Sequence, residues 1–141
     1  MVTGSVYGTV RVWNLEKGEQ EGTSMKHDRE ICGLAVTWDG ARIISSYWKG
    51  SIKVWDVESH KLLREWTHPE GCPTGIAISP DDRLIAVGDQ VVAIYSMEGT
   101  QVNRLIMVGN TACSMSFSPN RKKLACGSDN DTEGSKITHD E

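Results

Sequence analysis

Short apolar runs rich in Val, Ile, Trp and Leu alternate with turn residues along most of the chain. Runs of this length and composition, bounded by turn residues, are typical of β-strands. Asp39-Gly40 supplies the positive φ that a tight hairpin turn needs, so neighbouring runs are expected to pair antiparallel. Helical periodicity is absent. The first four predicted strands are 34–38, 41–48, 51–57 and 62–68.

The same plan then returns along the chain. The next four predicted strands are 74–79, 83–89, 91–97 and 101–108, followed by 113–118 and 122–128. The start, "VTGSVYGTV", has the pattern of a second strand leading into a third, and a weak further strand is predicted at 136–138. The pattern therefore predicts four antiparallel strands per unit.

A repeat is visible in particular residues. "GTVRVWNL" at 8–15 returns as "GSIKVWDV" at 50–57, which puts Trp13 and Trp55 in register 42 positions apart. Tyr95 follows Trp55 after 40 positions. The turns "TWDG", "SPDD" and "SPNR" recur at the same spacing. A period of about 41 residues lies in the range of propeller repeats.

These markers resemble the WD-repeat β-propeller family over nearly the whole chain, up to about residue 129. Trp55-Asp56 closes a strand, His27 precedes a first strand, and "WDG" and "SPDD" lie between strands. The resemblance implies an all-β fold whose four-stranded antiparallel blades form an incomplete, open propeller. In that family each sequence repeat supplies three inner strands of one blade and the outer strand of the next. Trp13, His27, Trp55, Asp56 and Tyr95 are then structural repeat markers.

The family's buried network, which joins a His, a Ser or Thr, an Asp and the Trp, is only partly present. Tyr7 and Lys49 stand where the family has its Asp, and a lysine cannot accept a hydrogen bond. His27, Trp55 and one of Ser45 or Ser46 can still share hydrogen bonds. We interpret these residues as structural rather than catalytic.

Residues 31–110 make two full repeats and each end adds about half, whereas propellers usually close with about 4 to 8 blades. We therefore predict a partial propeller at 1–129 and a polar, disordered tail at 130–141. Three explanations remain open. The chain is a fragment of a longer WD-repeat protein, or two copies complete a six-bladed ring as a homodimer, or another partner stabilises an unclosed stack.

The composition of the chain limits the classes of binding partner that it is expected to have. The chain has 141 residues and a net charge of -4, with a pI near 5.6, so no global positive field draws it to nucleic acid or anionic lipid. No signal peptide or membrane span is visible, which predicts an intracellular protein, cytoplasmic rather than nuclear. The cysteines lack zinc-site spacing, and we expect buried free thiols. They are Cys32, Cys72, Cys113 and Cys126.

The predicted function is a non-catalytic scaffold that binds protein or peptide partners and uses no metal or cofactor. The resemblance implies binding by the loops that enter first strands and by the turns between second and third strands. Trp48 and Arg29 are typical of interface hot spots. An enzyme is a remote alternative, because no nucleophile motif or metal cluster is present. The candidate partner-binding residues are Asp28, Arg29, Trp48, Lys49, Glu70, Asp89 and Asn110.

Overall fold

The computed structural model describes residues 1–5, 7–69, 71–107, 112–128 and 136–138, which form four antiparallel sheets. We call the sheets blades 1 to 4. Blade 1 contains β1 (Val2–Gly4), β2 (Thr9–Asn14) and β3 (Glu19–Lys26). Blade 2 contains β4 (Ile31–Val36), β5 (Arg42–Tyr47), β6 (Ser51–Asp56) and β7 (Leu62–Thr67). Blade 3 contains β8 (Gly75–Ile78), β9 (Leu84–Gly88), β10 (Val91–Ser96) and β11 (Gln101–Met107). Blade 4 contains β12 (Ala112–Phe117), β13 (Lys123–Ser128) and β14 (Lys136–Thr138).

The all-β fold predicted from the sequence is confirmed. Each of the ten predicted strands between residues 34 and 128 overlaps an observed strand, and consecutive strands within each blade pair antiparallel. The weak strand predicted at 136–138 is present as β14, which pairs with β13 inside the predicted polar tail. The rest of that tail lies outside the described residues.

The backbone repeats with the same period as the sequence. In the turns between first and second strands, the left-handed residue is Gly40 (φ 73°) in blade 2, Asp82 (φ 59°) in blade 3 and Arg121 (φ 62°) in blade 4. An aspartate and an arginine therefore adopt, at equivalent positions, a backbone conformation that favours glycine. The positive φ predicted at Gly40 is confirmed.

The hydrophobic core lies between blades rather than within one. Ile44 and Val54 of blade 2 pack with Ile85 and Val87 of blade 3, and all four side chains are fully buried. Similar clusters join blade 1 to blade 2 and blade 3 to blade 4. A single blade cannot cover both of its own faces, so a neighbouring blade is needed to bury them. Each Å² of apolar area that the neighbour removes from water stabilises the fold by about 25 cal/mol.

The cysteine prediction was wrong for one pair. Cys32 in β4 and Cys72, which precedes β8, form a disulfide with a Cα–Cα distance of 6.4 Å. Cys126 is buried, as expected, and the side chain of Cys113 lies outside the described residues. A sequence separation of 40 residues hides such a pairing, because only the stacking of two blades brings the two thiols together.

No helix in the described part of the chain is long and apolar enough to span a bilayer.

Candidate functional site

A buried hydrogen-bond network joins blade 2 to the segment that enters it. Trp55 Nε1 donates to Ser45 Oγ over 2.9 Å, and His27 Nε2 shares a hydrogen bond of 2.7 Å with the same oxygen. Ser45 has no exposed surface, and the His27 ring meets the Trp55 ring edge-on at 5.3 Å. Ser45, rather than Ser46, therefore connects the histidine to the tryptophan.

The surroundings of His27 keep its imidazole neutral. Burial is the largest cause, the positive charge of Lys53 is the second, and together they lower the pKa of His27 to about 4. Lys53 is itself buried; its Nζ lies 5.3 Å from the Tyr47 ring centre and 3.9 Å from Oε1 of Glu65. A buried neutral imidazole that bonds to a serine and packs edge-on against the Tyr47 and Trp55 rings suits a structural role.

In two other blades the aromatic residue equivalent to Trp55 has a different hydrogen-bond partner. In blade 1, Trp13 Nε1 donates to Thr3 Oγ1 over 2.8 Å. In blade 3, Val87 stands at the position that Ser45 has in blade 2, and Tyr95 replaces the tryptophan. The Tyr95 hydroxyl reaches His68 Nδ1 directly, at 2.9 Å.

The marker Asp56 holds the turn between β6 and β7. Its Oδ2 accepts the backbone N–H of Ser59 over 2.7 Å, and this bond, with that from the Ser59 side chain, lowers the pKa of Asp56. Asn14 does the same in blade 1, where its Oδ1 accepts two backbone N–H groups at 3.0 Å. Asp56 is therefore a turn residue rather than a member of the buried network.

Candidate binding residues meet at one end of blades 1 and 2. Asp28, Arg29 and Trp48 line a hollow of about 390 Å³ together with Tyr7 and Glu30. The Tyr7 side chain is 90% exposed and Trp48 is 50% exposed. Tyr7 was not among the binding residues predicted from the sequence, although the 42-residue period places it at the position equivalent to Lys49.

A second hollow, of about 410 Å³, also borders Trp48. It is lined by Trp48, Lys49, Gly71 and Cys72. Lys49 has a left-handed backbone (φ 70°), and Asp89 of blade 3 packs against Gly71. We call these two hollows and the residues that line them the Trp48 surface. The other two candidate residues, Glu70 and Asn110, lie outside the described residues.

Trp38 is an exposed aromatic residue at the opposite end of the blades, where it joins blade 2 to blade 3. Its side chain is 71% exposed, yet its Nε1 donates to the Ile78 carbonyl over 3.1 Å. Its backbone N–H donates to Asp82 Oδ1 over 2.7 Å, and the N–H of Asp39 donates to the other carboxylate oxygen over 3.0 Å. Trp38 therefore makes a structural contact between blades although most of its side chain is exposed.

Metal binding finds no support in the described ranges, since they contain no group of three or more His, Cys, Asp or Glu side chains arranged to hold an ion.

Antiparallel blades of three or four strands, packed face to face, define a protein of the β-propeller class, and blade 2 carries a buried His–Ser–Trp network. Among the residues that the structure describes, none of the sheets closes a ring. The WD40 family model, described as "WD domain, G-beta repeat", matches residues 18–56 and 102–132. The chain therefore contains WD40 repeats in these two regions.

Relatives agree with this class. The chain is 25% identical to the WD repeat-containing protein VIP3 of Arabidopsis thaliana, with 99% of the chain aligned. It is 29% identical to the small ribosomal subunit protein RACK1y of Oryza sativa over 62% of the chain, and 26% identical to apoptotic protease-activating factor 1 of Rattus norvegicus over 88%. The aligned regions are 50%, 26% and 11% of those three proteins, so the chain spans half or less of their length.

Proposed function

We propose that the chain is a non-catalytic protein–protein interaction module whose contact region is the Trp48 surface. One observation carries the proposal: two exposed aromatic side chains and an arginine share one hollow. Trp, Tyr and Arg dominate the binding energy of interfaces because they combine large apolar area with directional polar groups. The residues that line the hollow lie in turns and loops between strands, the kind of segment that commonly carries binding residues on a rigid scaffold.

The Trp48 surface carries both positive and negative side chains, which favours a partner that also carries charges of both signs. Asp28 and Glu30 lie beside Arg29 in one hollow, and Lys49 lines the other. Both signs on a small surface support recognition of a peptide or protein rather than of a polyanion. A net charge of -4 points the same way. We therefore propose protein or peptide partners, with neither nucleic acid nor membrane among them.

The chain is proposed to act as part of a larger propeller, because WD-repeat relatives are at least twice the length that it spans. A six-bladed ring made of two copies is less well supported. Such a ring would fuse blade 1 with blade 4, and β1 and β14 already occupy strand positions there. Both three-residue strands would have to be displaced. An intracellular, cytoplasmic location remains part of the proposal.

The test is a capture experiment with the double variant Arg29→Ala, Trp48→Ala. The tagged chain, the double variant and a Trp38→Ala control are incubated with cell extract, and retained proteins are quantified by mass spectrometry. We expect the affinity of the double variant for its specific partners to fall by a factor of about 700, since two hot-spot truncations cost roughly 2 kcal/mol each. The control should retain them. Unchanged thermal melting of the double variant shows that it is folded.

Two outcomes contradict the proposal. Partners that stay bound to the double variant but leave the Trp38→Ala control would move the contact region to the opposite end of the blades. A shift of labelled RNA or DNA that weakens steeply with salt would indicate a nucleic-acid partner instead.

A further inference from the structure

The disulfide between Cys32 and Cys72 connects two blades beside the Trp48 surface. Cys32 lies at an irregularity in β4: Ile31 pairs with Tyr47 and Gly33 pairs with Ser46, so Cys32 has no partner residue in β5. An extra residue of this kind locally bends a strand and redirects its side chain. The bulge thus accompanies the contact between Cys32 and the neighbouring blade.

Two further contacts hold the Cys72 segment on blade 2. Ser46 Oγ donates a hydrogen bond to the Pro73 carbonyl oxygen in a buried position. Gly33 permits close approach as well, since a Cβ there would lie 3.1 Å from the carbonyl oxygens of Pro73 and Thr74. Neither contact involves sulfur. The two cysteines should therefore stay close together after reduction. The disulfide can then form again with little movement of the backbone.

Small molecules can reach the pair from the Trp48 surface. Cys72 is half-buried and lines the hollow that contains Trp48 and Lys49. Cys32 is also half-buried but is absent from the lining of that hollow. Cys72 is accordingly the first thiol that a soluble disulfide meets. In a reducing compartment, cysteine pairs of this kind are typically transient and redox-sensing rather than permanent.

We propose that Cys32 and Cys72 are a reversible thiol–disulfide pair, oxidised by low-molecular-weight disulfides of the glutathione class, and that oxidation fixes the shape of the hollow beside Trp48. The regulatory part rests on the proposed function, because this hollow belongs to the proposed contact region. The chemical part stands alone. It depends only on the proximity of the two thiols and on the exposure of Cys72.

The reaction proceeds by two exchange steps. The Cys72 thiolate attacks one sulfur of glutathione disulfide, which forms a mixed disulfide and releases one glutathione thiolate. Cys32 then loses its proton to solvent and attacks the Cys72 sulfur, which forms the Cys32–Cys72 bond and releases the second glutathione thiolate. Two protein thiols are oxidised by two electrons, and one glutathione disulfide is reduced to two glutathione thiols.

The chemical part is tested by redox titration of the folded chain. The protein is equilibrated in buffers of stepped ratio of glutathione to glutathione disulfide, quenched in acid and labelled with a maleimide. We expect a single transition in which two labels are lost together, mapped by peptide mass to Cys32 and Cys72. The Cys32→Ser variant should stop at one glutathione adduct on Cys72. An equally rapid adduct on Cys32 in the Cys72→Ser variant would overturn the order of attack. A disulfide that forms only in denaturant would overturn the proposal.

The regulatory part is tested by hydrogen exchange on the wild-type chain in its oxidised and reduced forms. We expect reduction to accelerate exchange in residues 71–76, while residues 51–56 of β6 are unchanged. Equal exchange rates in both forms would show that the redox state of the pair does not change the hollow, and would refute the regulatory part of the proposal. Loss of partner capture in the Arg29→Ala, Trp48→Ala variant is measured separately. Failure of the redox proposal is therefore distinguishable from failure of the proposed function.

Discussion

Replacement of Ser45 by Ala tests whether the buried network stabilises the fold. The Ser45 hydroxyl is the common partner of Trp55 Nε1 at 2.9 Å and His27 Nε2 at 2.7 Å, and it is fully buried. Alanine removes one oxygen and leaves both nitrogens in place. Their rings are fixed by packing, so neither nitrogen can turn to solvent.

The magnitude follows from those two nitrogens. A buried polar group that loses its partner costs about 1–3 kcal/mol, so two such groups cost about 2–6 kcal/mol, partly offset by the lower desolvation of alanine. We expect a loss of about 3 kcal/mol. This is a large share of a typical unfolding free energy of roughly 5–15 kcal/mol. With a slope of about 2 kcal/mol per M of urea, the midpoint should fall by about 1.5 M.

The assay is urea unfolding followed by tryptophan fluorescence and by circular dichroism. Ser59→Ala is the matched control, because Ser59 is exposed in the turn after β6, so loss of its solvent-accessible hydrogen bond to Asp56 should cost at most about 1.5 kcal/mol. If Ser45→Ala costs no more than Ser59→Ala, the hydrogen bonds of Ser45 do not stabilise the protein and the reasoning is refuted.

Two further predictions concern the histidines. His27 has a pKa of about 4 in the folded chain and about 6.5 when unfolded, so the unfolded state binds the proton more tightly. Protonation of His27 should not affect the free energy of unfolding above pH 6.5, but should lower it by up to about 3 kcal/mol as the pH drops to 4. The His27→Phe variant should lack this contribution to the pH dependence. In blade 3, Tyr95→Phe should cost about 1–2 kcal/mol in urea unfolding, because it removes the bond to His68, whereas Tyr7→Phe at an exposed site should cost almost nothing. A flat pH profile, or equal midpoints for the two tyrosine variants, would contradict these expectations.

Much of the fold is predictable from sequence because each blade repeats one apolar pattern. β6 and β10 are buried throughout, apart from their partly buried last residues, and their runs of Val, Ile and aromatic residues were recognisable. β3 is different: seven of its eight residues are exposed or half-buried, so apolar patterning gave no sign of it. Its position is nevertheless 42 residues before β7, and the period alone would have located it.

The candidate site was less predictable because it depends on neighbouring blades. Ser45 and Ser46 are adjacent in sequence, yet Ser45 faces Trp55 and Ser46 bonds to Pro73 of the next blade. Only the register of β5 on β6 distinguishes them. Asp28, Arg29, Trp48 and Lys49 were selected from their loop positions, and whether they contact a partner remains a prediction.

The direct bond between Tyr95 and His68 has a consequence for how repeats are recognised. The matches to the WD40 family model, at 18–56 and 102–132, leave out most of blade 3, where valine and tyrosine stand in place of serine and tryptophan. The Nδ1 atom of His68 nonetheless has a hydrogen-bond partner, because the Tyr95 hydroxyl reaches it directly, whereas Trp55 is connected to His27 through Ser45. A count of blades that relies only on Trp-Asp signatures therefore misses a blade of this kind.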